Sequence, residues 1–243
     1  RRVLFRSAEK LKVNNTSWRT VPVNNEILGP LAKANAPFIC QWILYIDKND
    51  HKDTERLLFQ LRKRIEKKIR ETFKNHVGDC EFYFASLSSQ TVVYKGMVRS
   101  EVLSEFYLDL KKENFKVSFS VYHRRFSTNT LPKWPLAQPM RFLGHNGEIN
   151  TLLGNINWAR ASEKHIDNFW GQLSKDIKPI VDVNKSDSSN LDATLEINIR
   201  SGQPITDSLL KLVPEAFRDQ PELEQREDIK SFYEYSEIGR AHV

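Results

Sequence analysis

The chain has 243 residues, of which 40% are hydrophobic and 28% are charged, a composition typical of a globular protein with one substantial core. No apolar run approaches the roughly 20 residues that a membrane helix requires, so we expect no membrane partner. The chain has only two cysteines, which argues against a disulfide-rich scaffold.

The two ends of the chain are related at the nucleotide level. The string CGACGTGTGCTCTTCCGATCT encodes residues 1–7, RRVLFRS, and its reverse complement in a shifted frame encodes residues 238–243, IGRAHV. Such an inverted pair is typical of sequencing-adapter read-through, so we interpret both ends as tails and residues 8–237 as a partial domain, open at both ends. The tails hold four arginines and no acid, so the formal charge of +6 falls to +2 without them.

Hydrophobic periodicity predicts the elements of the first part of the chain. Residues 8–37 are rich in Asn, Pro and Gly, which predicts extended segments and turns. Residues 38–46, FICQWILYI, form a nearly continuous apolar run that predicts a buried strand. From Leu57 to Phe73 an apolar residue recurs at every fourth position, which predicts an amphipathic helix. Its opposite face carries Arg62 and further basic residues; glutamates at salt-bridging spacing favour a solvated face over a nucleic-acid surface.

The remainder of the chain combines alternating and helical patterns, and no composition break requires a second domain. The predicted elements are a β-hairpin at 81–87 and 90–95, a short helix at 99–110, strands at 117–122 and 141–143, helices from Glu148 and from near Ser186, and short helices over 205–236 interrupted at Pro214 and Pro221.

Three segment ends carry side chains suited to binding a free amino acid. Arg125 follows the strand at 117–122, where a guanidinium can hold a carboxylate through two parallel hydrogen bonds; an ordinary surface arginine is the alternative. Asn146 and Gly147 lie between a strand and a helix, where a carboxamide and a backbone N–H can donate to an oxyanion; an ordinary Asn-Gly turn is the alternative. Asp187 lies at the expected N-cap of a helix, where it either caps the helix or binds an ammonium group.

Three motifs carry a resemblance to a known family. The segments YHRRFSTNT at 122–130, GHNGEIN at 144–150 and SDSSNLD at 186–192 resemble the class II, N-terminal-nucleophile glutamine amidotransferase domain of glutamate synthase large subunits. The resemblance extends over residues 8–236, and around residues 134–140 it is closer to the ferredoxin-dependent branch. It implies an α+β fold, a four-layer αββα sandwich of two antiparallel sheets between helical layers, here incomplete at both ends.

The resemblance implies a role in glutamine binding or hydrolysis for each matching position, and it implies no metal site. The implied roles are the α-carboxylate for Arg125, the α-amino group for Asp187, the oxyanion hole for Asn146 and the Gly147 N–H, and the pocket wall for Phe126 and Thr128.

The catalytic nucleophile of this family is an N-terminal cysteine whose own α-amine acts as the base. It attacks the side-chain amide of glutamine, releases ammonia and forms a glutamyl thioester that water hydrolyses. Cys40 and Cys80 are internal, so neither has a free α-amine. We therefore expect the nucleophile to lie upstream of Ala8 and this fragment to have no glutaminase activity by itself.

The resemblance also implies partners outside this chain. In the full-length enzyme the ammonia reaches a synthase site with FMN and an iron–sulfur cluster, where 2-oxoglutarate becomes glutamate; no cofactor is expected in the fragment. Ferredoxin or an NADPH-linked small subunit supplies electrons. The implied compartment is the cytoplasm, or the plastid stroma of a photosynthetic eukaryote. The open alternatives are another class II glutamine amidotransferase and a non-catalytic binding module with a nucleic-acid surface on the basic helix; the leading interpretation has no nucleic-acid partner.

Overall fold

The chain folds as two compact units that divide between Asn146 and Gly147. The single partial domain over residues 8–237 stays a prediction. The computed structural model describes residues 2–13, 15–47, 50–73, 82–124, 131–147, 152–183, 185–213 and 220–237.

The first unit contains an antiparallel pair of strands, β1 (Asn15–Thr20) and β2 (Cys40–Tyr45). Trp18 pairs with Trp42 across the two strands, and their rings stack with centroids 5.6 Å apart. The strand predicted from FICQWILYI is confirmed, but the prediction that it is buried is wrong, since Tyr45 is 56% exposed. An apolar run predicts burial on both faces, whereas Trp42 and Leu44 on one face pack in an apolar cluster and Ile43 and Tyr45 on the other face are exposed.

The described helices of the first unit are of unequal length, and the longest provides most of the helical core. They are α1 (Arg2–Lys10), α2 (Pro30–Ala34), α3 (His51–Phe73) and α4 (Leu103–Phe106), with 3₁₀ turns at Asn25–Ile27, Ser100–Val102, Leu108–Lys111 and Trp134–Leu136.

Helix α3 confirms the helix predicted from apolar residues at every fourth position. Leu61 and Ile65 are fully buried and pack with apolar residues of α1. Arg62 corrects one detail of the prediction, because it is 3% exposed instead of lying on the solvated basic face. Its guanidinium lies 3.0 Å from Glu66 Oε1 and above the ring of Phe59, so an ion pair and an aromatic contact stabilise the buried charge.

A second apolar cluster of the first unit surrounds Trp134. The indole ring is 3% exposed, and its Nε1–H donates to the carbonyl oxygen of Ala32 at 3.2 Å. Phe106 and Tyr107 belong to this cluster, and the Tyr107 hydroxyl donates to the carbonyl oxygen of Lys95 at 2.7 Å. Burial raises the pKa of the Tyr107 phenol, so it remains a neutral donor.

The hairpin predicted for residues 81–95 is wrong over residues 82–95, which form no strand. Backbone donors in this segment bond to side chains instead of to cross-strand carbonyls. The Val93 N–H donates to Ser86 Oγ at 3.1 Å, and the Ser89 N–H donates to Glu55 Oε1 at 2.6 Å. Serine and carboxylate groups therefore replace the ladder that alternation alone predicts.

The strands predicted at 117–122 and 141–143 are also wrong, since neither segment has strand structure. Phe119 and Tyr122 are both 78% exposed, so the alternating pattern of the first segment is not used for one-sided burial. Mixed α and β structure is confirmed, and one two-stranded sheet lies within the described residues.

Within its described residues the second unit has helices and no strands, which confirms the helices predicted from Glu148, from near Ser186 and over 205–236. Residues 148–151 lie outside the described residues, and Pro221 begins a helix instead of interrupting one. The helices are α5 (Leu152–Trp170), α6 (Ser174–Ile177), α7 (Asp187–Arg200), α8 (Ile205–Leu212), α9 (Pro221–Glu224) and α10 (Glu227–Glu237), with a 3₁₀ turn at Gly171–Leu173. In the ranges that the structure describes, no helix has both the length and the apolarity to cross a membrane.

Candidate functional site

Half of the predicted site residues lie in a segment that the structure does not describe. Arg125, Phe126 and Thr128 lie outside the described residues, so their roles stay predictions. The chain is described up to Arg124, whose exposed guanidinium donates to Glu101 Oε1 at 2.9 Å. Of the two neighbouring arginines in the motif, Arg124 therefore has a surface carboxylate of its own chain as its partner.

The loop that leads to Asn146 is held at both backbone groups of His145. The Nε2 atom of His123 lies 2.9 Å from the carbonyl oxygen of His145. A carbonyl oxygen only accepts, so Nε2 carries the proton and donates. The His145 N–H in turn donates to Gln138 Oε1 at 3.1 Å. Asn146 and Gly147 are themselves exposed, so the carboxamide and the glycine backbone lie at the surface beside a fixed residue.

The connector that carries Gln138 is anchored in the core of the first unit. Trp134, at the start of the connector, is buried. The next residue is also held, because Lys95, which is 8% exposed, donates from Nζ to the carbonyl oxygen of Pro135 at 2.7 Å. The Met140 N–H donates to the carbonyl oxygen of Leu143 at 2.7 Å and so closes the turn before the loop. A continuous set of contacts therefore runs from the apolar core to the residue before Asn146.

Asp187 is the first residue of α7, not its N-cap as predicted. Ser186 is the N-cap, and its Oγ accepts from the Ser189 N–H at 3.2 Å. Asp187 is half-buried, and its Oδ1 accepts from the Ser188 N–H at 2.6 Å. Its carboxylate therefore lies at the positive end of a helix.

The loop before α7 is held by a buried amide. Asn190 is 5% exposed; its Oδ1 accepts from the Asp182 N–H at 2.9 Å, and its Nδ2 donates to the Asp182 carbonyl oxygen at 2.9 Å. The Ile180 N–H donates to Glu163 Oε1 at 2.8 Å, which holds the same loop to α5. The chain entering the helix at Asp187 is thus fixed at two points.

Sequence reasoning missed His123, Gln138 and Asn190 as residues that hold the candidate site. Each lies in or beside a motif that it identified, but a motif names residues without naming their partners. The available signal was a polar residue within an apolar helical pattern, as at the buried Asn190. A buried polar side chain needs a hydrogen-bond partner, so such a residue indicates a contact without naming it.

Comparison with known proteins assigns the chain to a family. A family model of the class II glutamine amidotransferases matches residues 1–241. The chain belongs to this family.

The relatives of this amidotransferase chain include three ferredoxin-dependent glutamate synthases. The enzyme of Pyropia yezoensis is 50% identical over 220 residues, enzyme 2 of Synechocystis sp. is 49% identical over 230 residues, and the chloroplastic enzyme of Oryza sativa is 48% identical over 221 residues. The alignments cover 90%, 93% and 90% of this chain but only 14%, 14% and 13% of the relatives. The chain thus spans about a seventh of the length of these relatives.

The predicted site residues lie in both compact units. Asn146 ends the first unit and Asp187 belongs to the second, and the meeting of Arg125, Asn146 and Asp187 in one cavity stays a prediction. Cys40 is an exposed residue inside β2, and Cys80 lies outside the described residues. In the part of the chain that the structure describes, no three His, Cys, Asp or Glu side chains are grouped as metal ligands.

Proposed function

We propose that this chain is part of the glutamine-hydrolysing domain of a ferredoxin-dependent glutamate synthase. The observation that carries the proposal is identity of 46–50% to enzymes of that name over nine-tenths of the chain. The domain releases ammonia from glutamine, and the rest of the enzyme uses this ammonia to convert 2-oxoglutarate into glutamate. The proposed domain architecture is the four-layer αββα sandwich, of which the pair β1 and β2 is one part.

Glutamine is held through its α-carboxylate by Arg125 and through its α-amino group by Asp187. A guanidinium binds a carboxylate through two parallel charge-assisted hydrogen bonds, and Asp187 offers a carboxylate at the start of α7. The contact between His123 and His145 supports the grouping of Arg125 with Asn146. Arg125 follows His123 by two residues, about 7 Å of chain, and Asn146 follows His145 directly. Phe126 and Thr128 line the pocket.

The Asn146 carboxamide and the Gly147 N–H stabilise the oxyanion that forms when the side-chain amide of glutamine is attacked. Each donor of such a pair contributes about 3–4 kcal/mol to stabilisation of the transition state. The attacking thiol must carry a free α-amine, which the internal Cys40 and Cys80 do not. We therefore expect the 243-residue chain to bind glutamine without hydrolysing it. Ammonia release above a protein-free blank would contradict this part of the proposal.

The redox groups of the enzyme are bound outside this chain. An iron–sulfur cluster held by cysteines alone takes three or four thiolates, and the 243-residue chain has two cysteines. We place FMN and the cluster in the remainder of the enzyme, where they supply electron transfer, with ferredoxin as the electron donor. Relatives from a cyanobacterium and from a chloroplast support a cyanobacterial cytoplasm or a plastid stroma as the compartment.

Isothermal titration of the chain with glutamine tests the proposal. We expect binding that Arg125→Ala weakens by at least about 100-fold, because the guanidinium makes two hydrogen bonds to the α-carboxylate and hydrogen bonds to a charged group each contribute about 1.5–3 kcal/mol. Arg124→Ala is the matched control and should leave the affinity unchanged, since Arg124 bonds to Glu101. The proposal fails if the chain does not bind glutamine or if both variants bind equally well. Binding of nucleic acid that weakens steeply with salt would instead favour a binding module.

A further inference from the structure

Both backbone groups of the residue before Asn146 bond to side chains that come from separate segments of the first unit. The carbonyl oxygen of His145 accepts from His123 Nε2 at 2.9 Å, and the His145 N–H donates to Gln138 Oε1 at 3.1 Å. Loop residues commonly leave such groups to water. Here both are taken by half-buried side chains of the protein itself.

We propose that His123 and Gln138 are positioning residues that fix the geometry of the oxyanion hole by clamping His145 between them. The inference rests on the proposed function, because it takes the Asn146 carboxamide and the Gly147 N–H as the oxyanion donors. It adds two residues that act on these donors through the backbone of His145.

Peptide planarity explains how the clamp reaches the donors. The carbonyl oxygen of His145 and the nitrogen of Asn146 belong to one planar peptide unit, so the hydrogen bond from His123 orients the plane in which Asn146 begins. The hydrogen bond to Gln138 orients the preceding peptide plane in the same way. Only the backbone and side-chain torsions of Asn146 then remain between the clamp and the two donors. Donors that are fixed before reaction need no reorganisation when the oxyanion forms, and a 1 Å displacement costs about 100-fold in rate.

The clamp is itself mounted on rigid structure. Gln138 belongs to the connector that Trp134 and Lys95 fix to the core, through the bonds from the Trp134 indole to Ala32 and from Lys95 to Pro135. A Cβ on Gly144 would lie 3.3 Å from Pro139 Cβ, so the loop also packs closely against this connector. The position of the clamp is therefore set by the fold and not by the ligand.

The test compares two ligands of the wild-type chain and its variants by isothermal titration. Glutamine reports on the α-carboxylate and α-amine contacts. In 2-amino-4-phosphonobutyrate a tetrahedral phosphonate anion replaces the carboxamide, so the ratio of the two affinities reports on the oxyanion hole. We expect His123→Ala and Gln138→Ala each to weaken phosphonate binding about 10-fold more than glutamine binding. His123→Gln, whose amide can still donate, should restore most of the wild-type ratio.

Matched controls and a direct spectroscopic measurement separate positioning from general stability. His51→Ala and Gln90→Ala remove exposed side chains of the same types in the same unit and should leave the ratio unchanged. Nitrogen NMR of the wild-type chain should show His123 protonated at Nε2, a result that does not depend on whether any variant folds. Protonation at Nδ1 alone overturns the clamp.

The outcomes distinguish this inference from the function on which it rests. If wild-type chain binds glutamine through Arg125 but the His123 and Gln138 variants keep the wild-type affinity ratio, the clamp is overturned and the proposed function stands. If wild-type chain binds neither ligand, both are overturned. A selective loss of phosphonate affinity that His123→Gln reverses supports both.

Discussion

Adding a single methyl group at Gly96 tests how firmly the core holds Trp134. A Cβ on Gly96 would lie 2.3 Å from Cζ3 and 2.8 Å from Cε3 of the indole ring. Favourable carbon–carbon contacts lie near 3.5–4.0 Å, so Gly96→Ala requires the ring to move by about 1 Å. The ring is 3% exposed, packs against Phe106 and donates to the Ala32 carbonyl, so it cannot move without disturbing other contacts.

The size of the effect follows from three contributions to the free energy of unfolding. Overpacking costs about 1–3 kcal/mol. Weakening the indole hydrogen bond to the buried Ala32 carbonyl adds about 1 kcal/mol. Replacing glycine lowers the entropy of the unfolded chain and offsets about 0.4–1 kcal/mol. We therefore expect Gly96→Ala to destabilise the chain by about 2–3 kcal/mol, which lowers the Tm by about 4–12 °C at this chain length.

Urea unfolding and thermal unfolding followed by circular dichroism check this value against two comparisons. Gly154→Ala, in α5, adds a Cβ that meets nothing within 4 Å, so we expect it to stabilise the chain by up to about 1 kcal/mol. In a Trp134→Phe background the clashing six-membered ring of the indole is gone, and Gly96→Ala should cost less than about 1 kcal/mol. Equal costs of Gly96→Ala in both backgrounds would refute the packing argument.

Three further substitutions test polar contacts. The Arg19 guanidinium that donates to Asp109 holds the pKa of this carboxyl below its usual value of about 3.9. The stability from this contact is present above that pH and is lost as the pH falls through the folded-state pKa, because the unfolded state then binds more protons. In Asp109→Asn the urea midpoint should therefore fall less steeply with pH below about pH 4. A slope equal to that of the wild-type chain would exclude this role. The buried Glu55 accepts from the Ser88 and Ser89 hydroxyls and from the Ser89 N–H, so Glu55→Ala should lower the free energy of unfolding by about 2–3 kcal/mol. Glu71 is exposed, and Glu71→Ala should leave the urea midpoint unchanged. Equal midpoints for both variants would contradict the assignment. Asn190→Ala removes both hydrogen bonds to the Asp182 backbone, which hold the loop before Asp187. We expect it to raise the Kd for glutamine about 10-fold in calorimetry. An unaltered Kd would show that Asp187 is positioned without this amide.

The helices were predictable because their signals are local. In α3 the apolar residue at every fourth position sets the buried face. In SDSSNLD a serine that can cap a helix precedes apolar residues at every fourth position. The segment at 82–95 has an equally clear local pattern, yet its backbone donors bond to Glu55 and to its own serines. Pairing depends on partners distant in sequence, which a local alternation does not contain.

The site was predictable as residue types but not as contacts. The motifs identified Asn146 and Asp187, and the family match supports the motifs as a set. The hydrogen bond between His123 and His145 joins residues 22 positions apart, and it is unrelated to any helical or strand period. Such a contact exists only because the connector folds back onto the segment before it, which is a property of tertiary structure.

Side chains that bind the backbone of a loop recur in both units of this chain. His123 and Gln138 hold His145, and Asn190 holds Asp182 in the loop before α7. A loop has no ladder to satisfy its N–H and carbonyl groups, so a fixed side chain that bonds to them removes freedom from the backbone. His145 and Asp182 are half-buried and carry polar side chains, so removing a clamp leaves the apolar packing of the core in place. Substitutions at the clamps should therefore change the affinity for ligands more than the stability of the fold, and substitutions such as Gly96→Ala should do the reverse.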